Sequence, residues 1–290
     1  MTATLPEGLA LTRNAHGREF IQINHPAVTA TIALEGAQVI DCVPAGKQPL
    51  LWMSPIDPRM PGTALRGGIP LCWPWFGNSR PGPAHGIART SPWQLIDAQR
   101  DDQQVRLRLE LAAEQMKALL PDERWHLQVE FVIGKQLSVS LTSTNLGKQA
   151  QPLSQALHSY LPVADITQAS ITGLEGCRYI DQLTSQEHRA QPGPILIDQE
   201  VDRIYYDHTA PVILHQHNGR CLEVTREGSH SLVVWNPWQA KAARLSQFPQ
   251  DGFRQMICLE ASNAGPDARV LEPGQSHTLV TRIRQVPGTG

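Results

Sequence analysis

Three stretches between residues 105 and 144 alternate apolar and polar side chains, and that period of two restricts the chain to sheet. VRLRLELA sets Val105, Leu107, Leu109 and Leu111 against Arg106, Arg108 and Glu110. WHLQVEFVI repeats the pattern through Trp125, Leu127, Val129, Phe131 and Ile133, and QLSVSLTST through Leu137, Val139 and Leu141. VTATIAL does the same earlier, with Val28, Ala30, Ile32 and Leu34 on one face. Alternation of this kind marks half-buried strands of antiparallel sheets with one wetted face. GRCLEVT, SLVVWNP, QMICLEAS and HTLVTRIRQV continue the theme toward the C-terminus.

Turn signals punctuate the strands at Asn145 to Gly147, Pro192-Gly193-Pro194, Asn218-Gly219 and Pro273-Gly274. The best helical face is EQMKALLP, residues 114 to 121, long enough for a turn or two. No linker-like composition break and no fixed-period repeat interrupts the chain. The expectation is an all-β fold: one large antiparallel β-sandwich domain over residues 1–290, built from stacked sheets.

Composition removes several function classes. A hydrophobic fraction of 41% with 18% charged residues fits neither a disordered chain nor a membrane-embedded one. The net charge of −2 leaves no basic field for nucleic acid or an anionic membrane. Any bound anion must therefore be held by a few local cations. The N-terminus lacks a basic region followed by an apolar run, so it does not read as a signal peptide. Five scattered cysteines, never in a CxxC pair, argue against a disulfide framework or a structural zinc site. A cytoplasmic protein is expected, with no nucleic-acid or membrane partner and as a monomer. The absence of GxSxG, P-loop and GxGxxG patterns leaves serine nucleophiles and nucleotides without support.

Four places break the alternation with residues that carry chemistry. RGGIPLCWPWFG, residues 66–77, puts Arg66 before two glycines that permit close backbone approach. Arg66 needs a partner in so apolar a setting and suits a carboxylate or phosphate. Trp73, Trp75 and Phe76 are read as core packing rather than as stacking platforms for a sugar. PAHGIART, residues 83–90, supplies His85 as a donor to a hydroxyl and Arg89 as a second cation able to join Arg66. In QALHSYLPVADI, period two places Ala156, His158 and Tyr160 on one face, and histidine is the side chain most easily poised near neutral pH. In QMICLEASNAG, Glu260 follows MICL inside an apolar strand, where it must be paired or stand at the mouth of a pocket. Asp202 in VDRIYYDH is either a carboxylate for hydroxyls or part of a charged turn. His215 and His217 have metal-compatible spacing but no third ligand, and an exposed edge strand is expected there.

The ordered set RGGIPLCWPWFG, PAHGIART, ALHSYLPV, VDRIYY, VVWNPWQAKA and CLEASNAG resembles the aldose 1-epimerase, or galactose mutarotase-like, superfamily over nearly the whole chain. Within it, the RGGIP…WFG and HG-x-A-R pair is similar to the D-hexose-6-phosphate mutarotase branch. The resemblance implies a β-supersandwich and a reaction without a cofactor or metal. It implies His158 as general acid and Glu260 as general base. It further implies Arg66 and Arg89 at a sugar phosphate, and His85 and Asp202 at substrate hydroxyls. Ala84 departs from it, since some relatives carry a polar residue such as Gln before the histidine.

The implied reaction interconverts α and β anomers of hexose 6-phosphates, glucose 6-phosphate first among them. The C1 hydroxyl loses a proton, the ring oxygen gains one, and the opened aldehyde rotates before reclosing. A carboxylate and an imidazole of ordinary pKa, about 4.3 and 6.5, would supply that pairing near neutrality. A non-catalytic sugar-phosphate binding protein on the same fold is the alternative. A glycoside hydrolase would need two well-placed carboxylates, and only Glu260 has a persuasive setting.

Overall fold

The computed structural model describes residues 4–288. Its largest layer is a nine-stranded antiparallel sheet. In spatial order it runs Ile195–Leu196, Ala169–Thr172, Val212–Gln216, Cys221–Glu227, Ser276–Val286, Leu137–Asn145, Trp125–Ile133, Val105–Leu111 and Trp93–Arg100. The strands with clean alternation lie here, and Val105–Leu111, Trp125–Ile133 and Leu137–Asn145 bury every second residue. Their apolar faces meet a second sheet of eight strands. That sheet includes Arg178–Asp181, Val201–Tyr206, Ser231–Asn236, Met256–Asn263, Gln155–Leu157 and Leu71–Cys72, with Tyr160–Pro162 also pairing with Met256–Asn263. A four-stranded sheet made of residues from Leu9 to Pro44 completes the layers.

The eight-stranded sheet is covered on both faces. Leu157, Leu161, Ile257, Leu259, Leu232 and Val234 enter the main core between the sheets. The alternate residues Tyr160, Val233, Trp235, Met256 and Cys258 join a second cluster with Trp52, Phe248 and Phe253. Double coverage explains why Ser231–Asn236 and Met256–Asn263 are buried at every position. It also explains why SLVVW and MICL read as unbroken apolar runs rather than as alternations.

Several expectations need revision. Val212–Gln216 is not an edge strand, because it pairs with Ala169–Thr172 on one side and Cys221–Glu227 on the other. His217 falls in the turn beyond it. QALHSYLPV is two short strands interrupted at residues 158 and 159. Asp202 sits in strand Val201–Tyr206 rather than in a turn. The short helix is Ala113–Leu119, as expected. Trp73 and Trp75 are core residues, with Trp73 Nε1 donating to Ser143 Oγ at 2.9 Å and Trp75 Nε1 to the Pro83 carbonyl at 3.0 Å. No helix among the described residues is long and apolar enough to cross a membrane.

Gly68 stitches three segments together. Its N–H donates to the Trp52 carbonyl at 2.8 Å, and its own carbonyl accepts from Tyr160 N–H at 2.9 Å. It adopts φ +63°, and a Cβ there would stand 2.2 Å from the Val39 carbonyl oxygen. Both conformation and space demand glycine. Gly68→Ala should therefore cost more than about 1 kcal/mol, read as a lowered urea midpoint at unchanged m-value.

Candidate active site

Two adjacent rows of the eight-stranded sheet build the site. In one row Ile204 lies opposite Val233 and Val233 opposite Glu260. In the next, Asp202 lies opposite Trp235, Trp235 opposite Cys258, and Cys258 opposite Tyr160. The pairs Leu157–Ala261 and Tyr160–Cys258 keep one register across the interruption at residues 158 and 159. His158 therefore falls opposite Glu260. Its Nε2 stands 3.4 Å from Glu260 Oε1. Strand alternation puts these rows on one face, away from the main core.

The interruption has identifiable partners. His158 N–H donates to the Pro70 carbonyl at 3.0 Å, so the loop after the glycine pair takes over a ladder bond. The His158 imidazole then stacks on Tyr160, with centroids 4.9 Å apart and planes at 15°. Tyr160 in turn stacks on Trp52 at 5.9 Å and 22°. Trp235 meets both the His158 and Tyr160 rings edge-on. His158 Nδ1 has no hydrogen-bond partner. Ring packing, rather than a hydrogen bond at the far nitrogen, therefore holds this imidazole.

The loops supply the cations. The Arg66 N–H donates to Asp57 Oδ2 at 2.6 Å, while its Nε lacks a partner. Arg89, in the 3-10 turn Ala88–Thr90, donates from Nη2 to the Ala84 carbonyl at 2.7 Å. The departure at residue 84 thus leaves a backbone acceptor in use. Neither arginine has a carboxylate within ion-pair distance among the described residues. His85 adopts φ 65°, and its Nδ1 accepts from Gly77 N–H at 3.3 Å. Its ring stands edge-on to Phe76 at 5.1 Å and to His158 at 5.6 Å. Gly86 follows because a Cβ there would lie 2.0 Å from the Trp73 carbonyl oxygen.

A cavity of about 610 Å³ gathers Arg66, His85, Arg89, His158, Asp202 and Glu260. All six residues singled out in the sequence face one space. Sequence reasoning missed Lys241, Gln182 and Asn78, which also line it. Gln182 Nε2 donates to Asp202 Oδ1 at 2.8 Å, and Lys241 Nζ pairs with Glu200 Oε1 at 2.9 Å. Lys241 lay within VVWNPWQAKA, whose likeness alone gave no role to it. Gln182 carried no sequence signal.

Burial dominates the electrostatics. Glu260 is 1% exposed, and desolvation pushes its pKa well above the carboxylate range, reinforced by Asp202 and offset by Arg89. Desolvation pushes His158 well below the imidazole range, helped by His85, Arg89 and Arg66. His85 falls to about 3 through burial first, then Arg89 and Arg66. Asp202 rises through burial, against its bond from Gln182. The 3.4 Å contact favours an ion pair, whereas loss of water favours neutral groups, and at this depth the loss of water prevails. Both shifts favour a protonated Glu260 beside a neutral His158 over the ion pair. Ordinary pKa values for the two groups do not apply.

The aldose 1-epimerase family profile matches residues 19–284. The chain belongs to the aldose 1-epimerase family. An Escherichia coli K12 relative named "Putative glucose-6-phosphate 1-epimerase" is 33% identical over 271 residues, covering 92% of this chain and 90% of that protein. A Salmonella typhimurium relative of the same name is 32% identical, covering 91% and 89%. The crystal structure of "a putative mutarotase (YeaD)" from Salmonella typhimurium superposes with a TM-score of 0.90 at 30% identity, covering 98% of this chain and 96% of that one. This family member is an isomerase of the mutarotase type that acts on a sugar.

The buried carboxyl makes a prediction about stability. Unfolded, Glu260 loses its proton near its ordinary pKa; folded, it keeps the proton to higher pH. The native state binds the extra proton in that window, so its stability falls as pH rises from about 4.5 toward the folded value. Glu260→Gln cannot ionise. Its melting temperature relative to the parent should climb by several degrees between pH 5 and pH 8; parallel curves for the two proteins would refute the buried neutral carboxyl.

Proposed function

We propose that this epimerase acts on hexose 6-phosphates, glucose 6-phosphate first, with His158 and Glu260 moving the protons and Arg66 and Arg89 holding the phosphate. The observation that carries the reading is a pair of guanidinium groups without carboxylate partners beside a proton-sharing imidazole and carboxyl. Two uncompensated cations in one cavity suit a dianion. The names of the similar proteins agree with that substrate.

Ring opening requires a base at the C1 hydroxyl and an acid at the ring oxygen. Glu260 Oε1 takes the hydroxyl proton, and His158 Nε2 gives one to the ring oxygen. That demands carboxylate and imidazolium, which carry the same one proton as the resting neutral pair. A phosphate dianion on Arg66 and Arg89 offsets two of the fields that hold His158 down. The same phosphate removes the help that Arg89 gives to the Glu260 carboxylate, so binding acts on both partners and eases protonation of His158 first. After the C1–C2 bond rotates, the reverse transfers close the ring on the other face and restore the pair. Binding energy at the phosphate positions C1 while leaving it free to turn. His85, held neutral, and Asp202 offer a donor or acceptor to the sugar hydroxyls. The five free cysteines accord with a reducing cytoplasm, and we read the chain as one domain acting as a monomer.

Exchange NMR on glucose 6-phosphate and on free glucose tests the substrate. Arg66→Ala or Arg89→Ala should lower kcat/KM for the phosphate ester by about 10- to 100-fold, the worth of a charged hydrogen bond. Exchange of free glucose should hardly change. Equal losses on both sugars would remove the phosphate from the reading.

His158→Ala and Glu260→Ala address the chemistry. Each should slow anomer exchange by roughly 10²- to 10⁴-fold while glucose 6-phosphate still binds by calorimetry. Binding with no acceleration in the parent protein would make it a sugar-phosphate binding protein instead.

A further inference from the structure

Cys258 is the nucleophilic side chain in the two rows that the proton transfers do not use. It precedes Glu260 by two positions on strand Met256–Asn263 and so shares its face. A nitrogen of His158, Cys258 Sγ and a Glu260 carboxylate oxygen all lie within 4.8 Å of one another. Among the described residues they are the one such trio of histidine, cysteine and acidic side chains. All three are buried, and Glu260 Oε2 has no hydrogen-bond partner.

We propose that this trio is also a metal site: in the sugar-free enzyme His158, Cys258 and Glu260 capture a borderline-soft divalent cation of the zinc type, which switches the epimerase off. Bond lengths of ~2.0–2.3 Å in a tetrahedral zinc site put donor atoms about 3.4–3.7 Å apart. His158 Nε2 and Glu260 Oε1 already stand 3.4 Å apart. The sulfur needs to close by ~1 Å at most, within reach of a side-chain torsion. His158 and Glu260 line the cavity and Cys258 is fully buried beside them, so an ion on the trio takes the two groups that the proposed reaction needs, and metal and sugar exclude each other. The spacing that builds the site is a strand i, i+2 step plus a cross-strand histidine 100 positions away, which no CxxC-type pattern detects.

Charge and proton balance are consistent with capture. The ion displaces the thiol proton of Cys258, and that of Glu260 where present, to solvent. His158 ligates as the neutral imidazole that burial already favours. Thiolate and carboxylate together cancel the dication. Burial first, then Glu260, holds the Cys258 thiol well above its ordinary range and Arg66 offsets this only in part, so the ion itself has to displace the proton. Arg89 favours the Glu260 carboxylate in the same way, while both arginines repel the ion. Nitrogen, sulfur and oxygen donors select Zn²⁺, Co²⁺ or Cd²⁺ over Mg²⁺ and Ca²⁺, which demand more oxygens.

Cobalt titration of the metal-free protein is the test, because a thiolate–cobalt bond has its own near-ultraviolet charge-transfer band and needs no turnover to be seen. The expected result is a band that saturates at one Co²⁺ per chain and is erased by Zn²⁺ but not by Mg²⁺. It should vanish in Cys258→Ser, weaken at least tenfold in affinity in Glu260→Gln, and persist in Cys221→Ser. The last variant is the control for the other cysteine–histidine contact, Cys221 Sγ to His215 Nδ1 at 3.4 Å. Zn²⁺ should inhibit anomer exchange competitively with the sugar, be reversed by a chelator, and act at least tenfold more weakly on Cys258→Ser. No thiolate band in the folded parent, or a band that survives Cys258→Ser, overturns the site. Undiminished Zn²⁺ inhibition of Cys258→Ser overturns the switch. Absence of sugar turnover in the parent would sink the mutarotase reading alone and leave the cobalt result to stand or fall by itself.

Discussion

A carboxyl and an imidazole 3.4 Å apart on a sheet face nearly closed to water set the terms for the rest of the site. Either charge alone would be expensive at that depth. Together they can keep one proton and remain neutral, or move it and become an ion pair. The surroundings decide between these states, so neighbouring cations and bound anions become controls on the chemistry. A proton-transfer site of this kind needs no strong acid or base of its own. It needs a pair whose two arrangements lie close in free energy.

The sheet makes that pairing reproducible. Glu260 and His158 lie about a hundred residues apart in sequence, yet the register on both sides of the interruption at His158 places them opposite each other. A slip of either strand by one residue would turn its own site residue toward the main core. The strands are pinned on that side by Leu157, Leu161, Ile257 and Leu259, so packing behind the sheet protects geometry in front of it. The ring stack of Trp52, Tyr160 and His158 finishes the work by fixing the imidazole plane without using Nδ1.

The fold was legible wherever one face of a strand meets water. Val105–Leu111, Trp125–Ile133 and Leu137–Asn145 carry their burial in their alternation. Legibility fails where both faces are covered, since SLVVW and MICL show runs of apolar residues with no preferred side. The six site residues stood out because each broke an apolar pattern or, like Asp202, lay in a segment that resembled the family. That all six line one cavity follows from the topology and not from any spacing along the chain. Lys241 and Gln182 escaped because a lysine in a short helix and a glutamine in a turn are ordinary at the surface. The protonation of the pair was equally invisible, for it depends on how little water reaches a position, and two half-buried strands would have left both pKa values ordinary.

The same burial accounts for both readings of the site. Burial leaves Glu260 Oε2 without a hydrogen-bond partner, and a sugar hydroxyl could satisfy it. So could a metal ion, once a thiol stands two residues away on the same face. What separates the two ligands is the pair of arginines in the same cavity. On the proposed reading, a hexose phosphate would bring a dianion to Arg66 and Arg89 and gain there as well as at the carboxyl. A bare cation gains only at the carboxyl end and is opposed by the arginines. Thiolate coordination would therefore have to outweigh that repulsion for the ion to hold, which is why Cys258, idle in the proposed proton transfers, would decide whether this pair can serve a second ligand.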